Sequence, residues 1–189
     1  MQLSNTSAGY GVLAIVVHWV AALAVFGMFA LGFWMVDLSY YDDWYRRAPD
    51  IHRSIGVLLF VLMVFRLVWR FFAGSPDPVA EHKRWETVSA HAAHGFLYVL
   101  VFVAMVSGFL ISTADGSSVS VFGWFDVPSV TGRVKGLEDT AGQVHYWSTW
   151  ALIVLALIHA AGALKHHLID RDKTLSRMLV PVRRNGSFF

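Results

Sequence analysis

The chain contains no cysteine at all, which removes disulfides, thiolate metal sites, iron–sulfur clusters and C-x-x-C-H haem attachment. Any metal it binds must be held by nitrogen or oxygen. Charge is missing as well where a soluble protein would carry it, since no Asp, Glu, Lys or Arg precedes Asp37. The first nine residues lack Lys and Arg, and the apolar run after them is too long for a signal-peptide h-region, so the segment reads as a retained helix.

Apolar surface takes the place of charge. Of the 189 residues, 56% are hydrophobic and 15% aromatic, and the mean hydropathy of +0.53 lies above that of ordinary soluble domains. A hydrocarbon core about 30 Å thick takes roughly 20 apolar residues per helix. Four windows qualify: GVLAIVVHWVAALAVFGMFALGFWMV, SIGVLLFVLMVFRLVWRFFAG, HAAHGFLYVLVFVAMVSGFLISTA and TAGQVHYWSTWALIVLALIHAAGAL. Backbone polar groups must be satisfied internally in lipid, so these windows are helices, expected roughly over 10–36, 52–72, 90–114 and 142–166. Arg66 and Arg70 lie toward one end of the second, where they can snorkel to the interface. No repeat or domain-separating linker is visible. Residues 1–189 read as a single domain, an all-α integral membrane four-helix bundle in contact with the lipid bilayer.

Basic residues in the short flanks orient the chain. Arg66, Arg70, Lys83, Arg84, Lys165, Arg171, Lys173, Arg177, Arg183 and Arg184 fall on one side, and Arg46, Arg47, Arg53, Arg133 and Lys135 on the other. The larger set marks the cytoplasmic side, so both termini are expected in the cytoplasm. The outer loops are then those around YYDDWYRRAPD and DGSSVSVFGWFDVPSVTGRVKGLEDTAGQ, the second carrying an aromatic segment, VFGWFDVP, suited to the membrane surface.

Against this background the histidines stand out. His18 and His159 fall at similar depth near the inner ends of helices 1 and 4, and His52 and His145 near the outer ends of helices 2 and 4. The fourteen residues between His145 and His159 leave them about 40° apart around their helix and about 21 Å apart along it. One helix therefore presents an imidazole toward each leaflet, each with a partner at matching depth. Ionisable residues within spans are rare and face functional interiors. Zinc or iron transport would call for carboxylates or more ligands per site, and the apolar windows hold no Asp or Glu. Haem iron takes two axial ligands, so two bis-imidazole b-type haems use the available groups without remainder. Gly11, Gly56, Gly142 and Gly162 lie close in sequence to the four histidines and admit two readings, room for a flat macrocycle or close helix packing.

IVVHW in helix 1, PDIHRSIG, HAAHG, QVHYW followed by LIHA, and the tail HHLIDRDKTLSRML together resemble the bacterial cytochrome b561 family over nearly the whole chain. This family is part of a wider group that includes the cytochrome b subunits of nickel–iron hydrogenases and formate dehydrogenase. The resemblance implies two haem b groups in a multi-pass protein of the bacterial inner membrane, the inner haem on His18 and His159 and the outer on His52 and His145. It also implies a superoxide oxidase that passes the electron of superoxide to ubiquinone.

A small anion needs only attraction at the outer side, which Arg46, Arg53 and Lys135, with Arg47 and Arg133, can supply. Arg53, next to His52, leads this set; the alternatives are contacts to haem propionates or a solvated loop, and nearby Asp42, Asp43, Asp50, Glu138 and Asp139 dilute the field. Quinone reduction also takes protons, so His91, His94 and His166 are candidates for quinone or propionate contacts at the inner side, with His166 seven residues beyond His159 and on its face. His82 and His167 read as solvated helix ends, and Lys173 and Arg177 as contacts to propionates or anionic lipid. Two other functions compete: a membrane cytochrome b subunit serving a hydrogenase or dehydrogenase partner, and a haem-free metal or proton pathway. A redox partner protein or a homo-oligomer fits the composition; nucleic acid does not.

Overall fold

The computed structural model describes residues 1–79 and 82–182. Arg183 and Arg184, counted above on the cytoplasmic side, lie outside the described residues. Four long helices dominate: α1 (Val12–Met35), α2 (Arg47–Ala73), α3 (Arg84–Thr113) and α4 (Leu137–Lys165). A short antiparallel hairpin, β1 (Val119–Val121) and β2 (Phe125–Val127), lies between α3 and α4. Even α1, with 24 residues, is about 36 Å long and sufficient for the hydrocarbon core. All four helices are long and apolar enough to cross a membrane.

Three helices start earlier than hydropathy alone suggests, because polar first turns belong to them. In α3 the Glu86 carboxylate accepts the Lys83 N–H at 2.9 Å, the reach-back of a capping box. Glu138 and Asp139 occupy the first turn of α4 and Asp50 that of α2, where carboxylates meet the positive end of the helix dipole. Outward faces are apolar throughout, with Leu23 and Phe33 on α1, Phe71 and Phe72 on α2, Phe96 and Val99 on α3, and Leu157 and Ile158 on α4 all exposed. Such surface on every helix suits a lipid solvent.

Contacts divide the chain into two compact units, and every helix contributes to both. The first comprises Met1–Ala22, Leu62–Phe96 and Val154–Phe189. Here the N-terminal segment is tied down: the Gln2 N–H donates to the Val182 carbonyl at 3.2 Å and the Val182 N–H to that of Tyr10 at 3.0 Å. Trp19 Nε1 donates to the Met178 carbonyl at 2.7 Å. Asn5 clamps the start of α1, its amide donating to the Gly74 carbonyl at 2.8 Å and its side-chain oxygen accepting the Gly11 N–H at 3.0 Å. Any side chain at Gly11 would collide with the carbonyls of Leu3 and Ser4. Gly11 therefore serves this clamp and makes no room near a histidine.

The second unit comprises Leu23–Val61 and Leu97–Ile153. The VFGWFDVP segment forms the hairpin tip and second strand, with Phe122 and Gly123 at positive φ of 51° and 71° and Phe122, Trp124 and Phe125 exposed. Buried Ser54, on α2, fastens it: its hydroxyl donates to the Asp50 carbonyl at 2.7 Å and accepts the Phe122 N–H at 3.0 Å. Losing one such bond costs about 0.5–1.5 kcal/mol. Ser54→Ala removes two and is expected to lower stability by about 1–3 kcal/mol and to speed proteolysis at the hairpin tip; unchanged cleavage kinetics in detergent would show that the tie is not what holds the hairpin.

Candidate functional site

Within the first unit, α1 supplies His18, α2 Arg66, α3 His94 and α4 His159. The His18 and His159 rings are 6.5 Å apart, centre to centre, and steeply inclined at 72°. His94 comes nearer to His159, at 5.0 Å. Arg66 Nη2 donates to His18 Nδ1 at 2.8 Å, so this arginine, expected to snorkel, instead turns inward onto an imidazole. All three rings are partly shielded, whereas His91 is exposed and donates from Nδ1 to the Thr87 carbonyl at 2.7 Å.

Within the second unit, His52 of α2 and His145 of α4 face each other at 6.2 Å and 80°. His145 Nδ1 donates to the Ala104 carbonyl of α3 at 2.8 Å, leaving Nε2 as the nitrogen with the free electron pair. Two glycines allow the rings this close to the neighbouring backbones. A Cβ on Gly108 would lie 3.0 Å from His145 Cε1, and one on Gly32 would lie 3.1 Å from His52 Cε1. These are not the glycines singled out from the sequence: Gly56 faces the Met28 methyl, and Gly142 and Gly162 border open space. His52 Nδ1 is buried and has no hydrogen-bond partner among the described residues.

The outer basic residues separate. Arg46 and Arg53 line an open cleft of about 450 Å³ together with Met35, Tyr45, Pro49 and Asp50. The Arg53 guanidinium is paired with Asp50, which reduces the charge it offers. Lys135, exposed before α4, does not line that cleft. His166 is not joined to His159 either. It begins a π-helical turn, His166–Asp170, and contacts Asp170, Asp172 and His82. His82, expected as a solvated end, is largely covered. Asp172 draws both imidazoles in: burial alone raises its pKa, but hydrogen bonds from Thr174, His82 and His166 win and hold it at about 2. Arg177 donates to the Asp77 carbonyl at 2.8 Å.

Comparison with known proteins identifies the family of the chain. The family model for prokaryotic cytochrome b561 matches residues 9–181. The chain belongs to the prokaryotic cytochrome b561 family. It is 49% identical to "Cytochrome b561 homolog 2" of Escherichia coli (strain K12) over 179 residues, 95% of each chain. To "Cytochrome b561 homolog 1" of the same organism it is 30% identical over 170 residues, 87% of this chain and 93% of the relative. To "Probable superoxide oxidase CybB" of Yersinia pestis it is 27% identical over 175 residues, 90% and 95% of the two chains.

A b561-family chain with four membrane-crossing helices is a multi-pass bacterial membrane protein of electron transfer, and the family implies haem b. The residues present fit that group. An iron between two imidazoles needs two metal–nitrogen bonds of about 2 Å, and each nitrogen stands roughly 1 Å from its ring centre, so centres about 6 Å apart are required. The pairs at 6.5 Å and 6.2 Å meet this; His94 and His159, at 5.0 Å, are too close. Gly108→Ala is expected to push the His145 ring by a few tenths of an ångström and lower haem per chain, read from the reduced α band, while Gly56→Ala keeps it. Equal haem content in both variants would contradict this role for Gly108.

Proposed function

We propose that the chain is a di-haem cytochrome b of the bacterial inner membrane, residues 1–189 acting as one domain with both termini cytoplasmic, that oxidises superoxide at the outer side and reduces ubiquinone at the inner side. His52 and His145 would hold the outer haem, and His18 and His159 the inner. The observation that carries this reading is the pair of inter-helix imidazole separations, 6.2 and 6.5 Å. The 27% identity to a relative named as a probable superoxide oxidase supports the choice of substrate.

Haem, when bound, supplies one-electron redox chemistry; the surrounding side chains do the rest. Superoxide is an anion that gives up one electron and no proton, so it needs attraction and access. Arg46 and Arg53 provide both at the open cleft, with Lys135 adding charge from the loop. Ubiquinone takes two electrons and two protons. His94, in the same unit as His18 and His159, is the proposed hydrogen-bonding and proton-donating group, with exposed His91 one turn away as the supply side. His166 is engaged by Asp170 and Asp172, which makes it the weakest of the three for that task. Were a haem held through His18 Nε2, the ring proton would sit on Nδ1, where Arg66 donates in this structure, and the Arg66 guanidinium would then serve another acceptor such as a propionate.

A second reading, a membrane cytochrome b subunit passing electrons between a dehydrogenase or hydrogenase partner and the quinone pool, is favoured by the ion pairing of Arg53 with Asp50 and by a cleft roomier than a diatomic anion needs. Stopped-flow mixing of superoxide with the purified oxidised protein separates the two. Rapid haem reduction, followed by reoxidation on adding ubiquinone, is expected; no reduction would select the subunit reading. His159→Ala is expected to halve haem per chain and abolish quinone-dependent reoxidation, and two full haems in that variant would disprove the pairing. Arg53→Gln is expected to slow reduction several-fold at low salt and little near 1 M, where the Debye length is about 3 Å.

A further inference from the structure

The cluster formed by His82, His166 and Asp172 lies outside both imidazole pairs. His82 precedes α3, His166 follows α4 directly, and Asp172 lies beyond the π-helical turn. Arg171 adopts a left-handed conformation, φ 55°, which a non-glycine residue takes at a cost. The chain thereby doubles back, the Asp172 N–H reaching the His166 carbonyl at 3.1 Å. Asp172 then divides its oxygens: Oδ1 accepts the Thr174 N–H at 2.7 Å, and Oδ2 meets His82 Nε2 at 2.9 Å and His166 Nδ1 at 2.8 Å.

As a set of hydrogen bonds, this arrangement is short of protons. A neutral imidazole nitrogen carries one at most. The proton on His82 Nε2 would be shared between Asp172 Oδ2 and Thr174 Oγ1, the latter at 3.1 Å. That on His166 Nδ1 would be shared between Asp172 Oδ2 and Asp170 Oδ2, the latter at 2.9 Å. Permanent positive charge is also unevenly placed. Lys165 reaches Glu86 at 2.9 Å and Asp170 at 2.6 Å, compensating those two carboxylates. The Asp172 side chain is only 5% exposed, and among the described residues its ion-pair partners are the two imidazoles.

We propose that His82 Nε2, His166 Nδ1 and Asp172 Oδ2 form a binding site for a divalent first-row cation of the zinc type, distinct from the haem sites, with the remaining position left to water. The three donor atoms already lie within 4.8 Å of one another. Zinc bonds of about 2.0–2.2 Å place tetrahedral donors about 3.3 Å apart, so the contacts of 2.8 and 2.9 Å open by a few tenths of an ångström when the cation replaces the shared protons. Two imidazoles with one carboxylate select zinc or its neighbours over magnesium and calcium, which take oxygen donors. The bound cation joins the segment before α3, the end of α4 and the tail, all within the first unit.

Zinc titration of the full-length, haem-loaded protein in detergent, first stripped of adventitious metal with a chelator, tests the site. Equilibrium dialysis with elemental analysis should find one zinc per chain beyond the haem iron. His82→Asn and Asp172→Asn should each weaken uptake at least tenfold while the haem spectrum, which reports folding, stays as in the parent. Thr174→Ala, which removes no proposed ligand, should keep one zinc, and provides a reference if an Asp172 variant fails to fold. Exposed His167, the immediate neighbour of His166, is the control: His167→Asn should bind as the parent does. Absence of stoichiometric uptake by the parent, equal affinity in His82→Asn, or loss of binding in His167→Asn would each overturn the site.

Discussion

Hydrocarbon as solvent is the constraint on which the rest of this structure depends. A backbone group in lipid has no water to bond, so each span closes its own hydrogen bonds as a helix. A polar side chain there must find a partner inside the protein. His145 meets that demand through the Ala104 carbonyl and His18 through Arg66, while His52 leaves one nitrogen without a partner among the described residues. Side-chain hydroxyls follow the same rule by folding back onto their own helices, as Ser107 does onto the Val103 carbonyl and Thr113 onto that of Phe109.

Charge is handled differently in the two units. In the second, Arg53 and Asp50 pair at an exposed surface, where an ion pair contributes little to stability but decides how much positive field is left for a substrate. In the first, Lys165 bridges Glu86 and Asp170, so that a single ammonium ties α3 to the end of α4. The neighbouring Asp172, which also accepts hydrogen bonds from Thr174, has the two imidazoles as its ion-pair partners among the described residues.

Much of this was legible from residue type and spacing. Four apolar windows locate four helices, because length against bilayer thickness is a coarse and robust signal. Depth counting also brings His18 to His159 and His52 to His145, since rise per residue is nearly constant along a helix. What could not be read was anything depending on rotation between helices. Gly32 and Gly108, not Gly11 or Gly56, lie against histidine rings, because the relevant glycine is on the facing helix and has no sequence relation to its histidine. Arg66 turned inward for the same reason. His82 was missed because its partners lie about ninety residues away, and the hairpin because two three-residue strands leave almost no periodicity to detect.

The hydrogen bond from His145 to a main-chain carbonyl has one more consequence. Histidines that serve metals often lean on a carboxylate, whose protonation alters how strongly the ring donates electrons. The Ala104 carbonyl has no protonation state to change across biological pH. Gly108, one helical turn further along α3, leaves that carbonyl open to the ring. The electron-pair availability of His145 Nε2 thus rests on a main-chain acceptor held by the helix and not on an ionisable side chain.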